Sequence, residues 1–116
     1  MRLLLSSLLL LLASHLSVAV AQDNRSGNVM LPHCKAALEP NAQDPIGGRC
    51  MGIIATLSFV SRVLPDNLKF CHPNTATPEL MLQVVIGFAE ANPDAIGQDF
   101  RLIALAAMHD KWPCQE

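Results

Sequence analysis

The sequence predicts an all-α protein, a small four-helix bundle with two disulfides that follows a cleaved signal peptide. Four segments carry apolar residues at the three-to-four spacing of an amphipathic helix. All four cysteines lie downstream of an apolar leader, and an even number in a small exported domain indicates a disulfide framework. No segment keeps the alternation of a strand, and the short connections favour an antiparallel bundle.

The N-terminus has the three parts of a secretory signal peptide. Arg2 supplies the basic start, residues 3–12 are apolar apart from two serines, and Ala19 and Ala21 form a small-x-small cleavage site. The alternative is a membrane anchor, but polar residues from Ser14 onward interrupt the run before it reaches the roughly 20 apolar residues that a span needs. We therefore predict a signal peptide over residues 1–21 and one exported domain over the remainder of the chain.

The first helix is predicted over residues 28–39, with Asn28 as its N-cap. The second is predicted over residues 48–64, and it carries no charged residue between Arg49 and Arg62. Such an uncharged helix needs a partner on more than one of its faces.

The third helix is predicted to start at Thr77-Pro78-Glu79, which combines a capping hydroxyl, an N1 proline and an early acid, and to end near Ala91. Asn92-Pro93-Asp94 repeats this device, so the fourth helix is predicted from there to Trp112. The side chains predicted to face the core from the third helix are Leu80, Val84, Val85 and Phe88.

An antiparallel order of consecutive helices selects one disulfide pairing among the three that are possible. Cys34 lies near the end of the first helix and Cys50 just inside the second, so the two are level across the hairpin. Cys71 follows the second helix and Cys114 follows the fourth, at the same end of the bundle. The prediction is Cys34–Cys50 with Cys71–Cys114.

Several function classes are disfavoured. The cysteines lack the close spacing of zinc ligands or of a thiol redox motif, so no metal site is predicted. No hydrolase or phosphate-binding motif is present in the sequence, so no enzyme activity and no cofactor are predicted. The formal net charge is −2 and tyrosine is absent, which disfavours nucleic acid and anionic membranes as partners.

Two stretches are unusually apolar for a domain of this size. Residues 53–60 and 80–89 contain only Thr56, Ser58 and Gln83 as polar side chains. Either one of these helices is central in the core of the chain itself, or the surplus apolar surface meets another molecule. We expect a homodimer.

The motifs taken together resemble the Rap/Tai-type immunity protein family over most of the chain. The segments that carry the resemblance are His33-Cys34-Lys35-Ala36-Ala37-Leu38, Gly48-x-Cys50-x-Gly52, Phe70-Cys71-x-Pro73, the helix start Thr77-Pro78-Glu79-Leu80, and Trp112-Pro113-Cys114. The resemblance implies a small periplasmic helical protein, often dimeric, that binds and inhibits a peptidoglycan amidase effector of type VI secretion. The cysteine framework is what it carries over most directly.

In this family, loop residues block the catalytic cleft of the effector, and the resemblance implies the same here. Two polar loops are candidates: His72 and Asn74 follow the third cysteine, and Asn41 and Asp44 join the first two helices. The alternative function is a non-catalytic periplasmic binding or stress-related structural module of the same fold, and a small-molecule binder is a further one.

Overall fold

The computed structural model describes residues 24–115, which form four α-helices and, apart from one isolated bridge between Ser26 and Asp99, no β-structure. The helices are α1 Gly27–Ala36, α2 Pro45–Val60, α3 Pro78–Ala91 and α4 Phe100–Lys111. Single 3₁₀ turns, Ser61–Val63 and Pro93–Ala95, follow α2 and α3. The predicted all-α fold is confirmed, while the predicted signal peptide, residues 1–21, and its cleavage site lie outside the described residues.

Helix α2 begins at Pro45 rather than at residue 48, because Asp44 caps it. The Asp44 carboxylate accepts hydrogen bonds from the backbone N–H groups of Ile46, at 2.9 Å, and Gly47, at 3.3 Å. Proline is favourable at the first helical position, where its missing N–H costs no intrahelical bond.

Helix α1 is shorter than predicted and ends at Ala36 instead of residue 39. The Leu38 N–H donates to the Lys35 carbonyl at 3.1 Å, the tighter spacing of a turn. Asn41 then takes a positive φ of 60°, a conformation that asparagine tolerates better than most residues, and the chain reverses into α2.

The predicted start of α4 at Asn92-Pro93-Asp94 is wrong. That segment closes only a 3₁₀ turn, and α4 begins at Phe100 behind the capping carboxylate of Asp99. The intervening residues run back over the start of α1, where the Ile96 carbonyl accepts the Asn28 N–H at 2.9 Å. Hydrogen bonds to the start of α1 therefore hold this segment out of the helix that the local sequence predicts.

The core lies among all four helices, and α3 presents a different face to it than predicted. Val85 is buried as expected, but Val84 and Phe88 are only partly buried and Leu80 is 44% exposed. The α3 residues that are buried without having been predicted are Met81, Leu82, Ile86 and Ala89. Helix α3 thus buries most of its apolar side chains, fully or partly, within its own chain.

Both predicted disulfides are present. Cys34–Cys50 is fully buried between α1 and α2, with the Cα atoms 5.5 Å apart, and Cys71–Cys114 joins the segment after α2 to the segment after α4, with the Cα atoms 4.9 Å apart. Near the first disulfide, a Cβ atom on Gly47 would lie 2.9 Å from the backbone of α1, so the two helices approach each other closely because this residue is glycine.

Candidate partner-binding site

Both ends of the loop over residues 72–76 are fixed. On one side, the disulfide Cys71–Cys114 ties the loop to the segment after α4, and the Cys71 N–H donates to the Trp112 carbonyl at 2.8 Å. On the other side, the Thr77 hydroxyl oxygen caps α3 by accepting a backbone N–H at 3.2 Å. Both ends of the loop are therefore held by the rest of the chain.

The His72 side chain is partly exposed and contacts other parts of the chain. Its Nδ1 lies 3.1 Å from the Pro73 carbonyl oxygen, and its Nε2 lies 2.9 Å from the Ser58 hydroxyl of α2. In the neutral ring, Nδ1–H donates to the carbonyl and Nε2 accepts from the serine. The ring also approaches Phe70 and Trp112, with centroids 5.9 and 6.4 Å away. His72 therefore anchors the loop, and Asn74 and Thr75 are its exposed polar residues.

Asp44 is likewise committed to intramolecular contacts. Besides capping α2, its carboxylate lies 2.5 Å from Nδ1 of His33 on α1. The hydrogen bond from His33, together with those from the backbone of α2, lowers the pKa of Asp44 below its ordinary value. Asp44 thus joins the ends of two helices, while the neighbouring Asn41 is exposed at the tip of the connection.

The two candidate loops lie at opposite ends of α2. This helix has 16 residues, which corresponds to about 24 Å at 1.5 Å per residue. The structure therefore does not bring Asn41 and Asn74 together, and the two loops are separate candidates for contact with a partner.

Three arginines line one depression, a feature that sequence reasoning missed. Arg25, Arg49 and Arg101 come from the N-terminal segment, α2 and α4. The Asp99 carboxylate accepts from Arg101 Nε at 2.9 Å and from Nη2 at 2.6 Å. These bonds lower the pKa of Asp99 to about 2. No run of basic residues marks this depression in the sequence, because the three arginines are far apart along the chain and meet only in the fold.

Two apolar side chains are exposed at the end of α2 and in the 3₁₀ turn that follows it. Phe59 is 89% exposed and Val63 is 83% exposed. By length and composition alone, the segment Pro45–Val63 could cross a membrane. Of its most apolar 18-residue window, 22% is buried within the chain. The two most exposed large apolar side chains in the described part of the chain therefore lie at the end of α2 and in the turn after it.

Within residues 24–115, no three histidine, cysteine or acidic side chains are grouped as a metal site requires. The four cysteines are joined as disulfides and are not available as thiolate ligands. No residue is assigned here to a metal or a cofactor.

The chain matches a family of known proteins. The sequence profile of a family described as Rap1a immunity proteins matches residues 26–114, which include all four helices and both disulfides. No curated protein and no solved structure gives a significant match. Since the profile covers most of the chain, this protein belongs to the Rap1a immunity protein family.

Proposed function

We propose that this protein acts in the periplasm, where it binds and inhibits a peptidoglycan amidase effector of type VI secretion. The observation that carries the proposal is the family match over residues 26–114, since members are immunity proteins against secreted effectors. Two disulfides fit an exported protein, and the predicted signal peptide would take it to the compartment where peptidoglycan is cleaved.

The proposed mechanism is occlusion of the amidase cleft by the loop over residues 72–76. Asn74 is exposed and carries both donors and an acceptor, so it can hydrogen-bond to polar groups in a cleft. Because the loop is fixed by Cys71–Cys114 and by the Thr77 cap, little conformational entropy is lost when it binds. His72 would act indirectly, by holding the loop against α2 through Ser58.

A homodimer is part of the same proposal. Phe59 and Val63 offer adjacent apolar surface that the chain itself leaves exposed, and such surface commonly marks an association site. Light scattering of the purified protein should give twice the chain mass, and Phe59→Glu should reduce it to one chain mass without unfolding. A wild-type protein that stays monomeric at high concentration would contradict the dimer.

Inhibition is tested with amidases encoded next to this chain. The protein purified from the periplasm should bind one of them and stop its cleavage of peptidoglycan. Asn74→Arg should weaken inhibition by about tenfold or more, since a bulky charge replaces a hydrogen-bonding amide at the interface. Gln83→Arg, an exposed change on α3, is the matched control and should inhibit as the wild type does.

His72→Glu should also weaken inhibition, because an ionised carboxylate cannot donate to the Pro73 carbonyl as Nδ1–H does, and the loop loses this contact. If none of the neighbouring amidases is bound or inhibited, the amidase proposal fails and the non-catalytic binding or structural module becomes the better description. If inhibition survives both loop substitutions, the inhibitor stands but the loop is not what blocks the cleft.

A further inference from the structure

A continuous groove runs along α2 from a charged end to an apolar end. Two adjoining depressions, of about 410 and 390 Å³, share Arg49, Ile53 and Arg101 as lining residues. Arg25 lies at the charged end and Leu57 at the apolar end. The groove is separate from the loop over residues 72–76, none of whose residues line it.

The charged end holds more positive than negative charge. Three guanidinium groups face a single carboxylate, Asp99, which is already engaged by two hydrogen bonds from Arg101. Within residues 24–115, Arg25 and Arg49 form no ion pair. This local excess lies on a chain whose formal net charge is −2, so it is a specific feature of the groove and not of the surface as a whole.

The apolar end of the groove is open at Gly52, which is one of its lining residues. A Cβ atom on Gly52 would meet nothing within 4 Å, so packing inside the chain does not require glycine there. Glycine in a helix interior costs about 1 kcal/mol relative to alanine, and the missing side chain lets another molecule approach the backbone of α2. The nearby Thr56 hydroxyl donates to the Gly52 carbonyl at 2.8 Å, so its donor is satisfied within the helix.

We propose that this groove is a docking site for an acidic segment of the partner protein, with a carboxylate between Arg49 and Arg101 and an apolar side chain against Ile53 and Leu57. Guanidinium groups match carboxylates in geometry and charge, which gives orientation as well as attraction. A symmetric contact of this groove with the same groove of a second copy would bring the two sets of arginines together, so charge favours a different protein. This inference rests on the proposed function, since the immunity protein must bind an effector.

Two substitutions test the groove in the complex with the amidase. Arg49→Gln removes a charge, and Gly52→Leu fills the apolar end from a position where a Cβ atom meets nothing within 4 Å. Each should weaken the affinity measured by titration calorimetry about tenfold, and Arg49→Gln should also reduce the loss of affinity at high salt. The matched controls are Arg62→Gln, an exposed arginine outside the groove, and Gly87→Leu, an open glycine on α3; both should bind like the wild type.

A peptide titration tests the same chemistry without the effector. An acetylated Leu-Asp-Leu-Glu peptide should shift the side-chain N–H resonances of Arg49 and Arg101 in NMR spectra, and the peptide with Asn and Gln in place of the acids should not. Asn74→Arg should leave these shifts unchanged, because the loop lies outside the groove.

The outcomes separate the two proposals. If the wild type binds no amidase, the proposed function fails and the peptide titration alone decides the groove. If the amidase binds but Arg49→Gln and Gly52→Leu bind as tightly as the wild type, the groove is not the docking site even though the immunity function stands. Absence of peptide shifts, when no amidase binds, overturns the groove proposal as well.

Discussion

Replacing Gly27 with alanine should destabilise the fold, because the first residue of α1 lies under the segment that precedes α4. An added Cβ would lie 2.5 Å from the Ile96 carbonyl oxygen and 2.6 Å from Cδ1 of Ile103. The isoleucine side chain can rotate away, but the carbonyl belongs to the backbone and accepts the Asn28 N–H at 2.9 Å.

The expected loss of stability for Gly27→Ala is about 2 kcal/mol. Overpacking against fixed atoms costs about 1–3 kcal/mol. Strain on the adjacent backbone hydrogen bond adds about 1 kcal/mol. The higher helix propensity of alanine offsets at most about 1 kcal/mol of this. For a domain of this size, the net loss corresponds to a fall in Tm of roughly 10 °C.

Thermal unfolding followed by circular dichroism measures this fall, and Gly52→Ala is the matched control. Because its Cβ meets nothing within 4 Å, alanine at position 52 should stabilise the protein by about 0.5–1 kcal/mol. A Gly27→Ala variant that unfolds at the wild-type temperature would refute the close packing inferred at the start of α1. A Gly52→Ala variant that loses stability would refute the open groove.

Three further predictions concern the second disulfide, Asp99 and Phe59. Replacing Cys71 and Cys114 together with serine should cost about 4 kcal/mol in urea unfolding, since the disulfide closes a long loop of sequence separation 43; an unchanged urea midpoint would contradict this. The hydrogen bond from Arg101 lowers the pKa of Asp99 from 3.8 to about 2. The ionised carboxylate therefore stabilises the folded protein above pH about 4, and this contribution is lost as the pH falls toward 2. Asp99→Asn should therefore be less stable than the wild type at neutral pH and similar to it near pH 2, as compared by urea midpoints; equal midpoints at neutral pH would exclude the contribution. Phe59→Glu should change monomer stability by less than about 0.5 kcal/mol, because the side chain is 89% exposed, and a large loss would instead place Phe59 in a core.

The sequence predicted those features that depend on local signals. Thr77 and Pro78 mark the start of α3 as predicted, because a cap and an N1 proline act through neighbouring backbone. The same kind of signal failed at Asn92-Pro93-Asp94, where hydrogen bonds to the start of α1 hold the chain out of a helix. The disulfide pairing followed from the antiparallel order alone.

The candidate site was predicted less completely. Polarity in a loop marks His72 and Asp44 as candidates, yet in the fold His72 contacts Ser58 and Asp44 contacts His33. Asn74 and Asn41 stay exposed, as a loop position suggests. Polarity identifies a loop residue, but its free hydrogen-bonding capacity depends on neighbours that are distant in sequence.

The sequence by itself determined the helical class, the pairing of the cysteines and the family, because these depend on spacing along the chain and on short motifs. Only the tertiary structure decided how much apolar surface each helix leaves exposed. Among the described residues, Phe59 near the end of α2 is the most exposed large apolar side chain. It alone also brought Arg25, Arg49 and Arg101 to one groove. The physical reason is that burial and local charge are sums over neighbours in space, and folding, not sequence order, sets those neighbours.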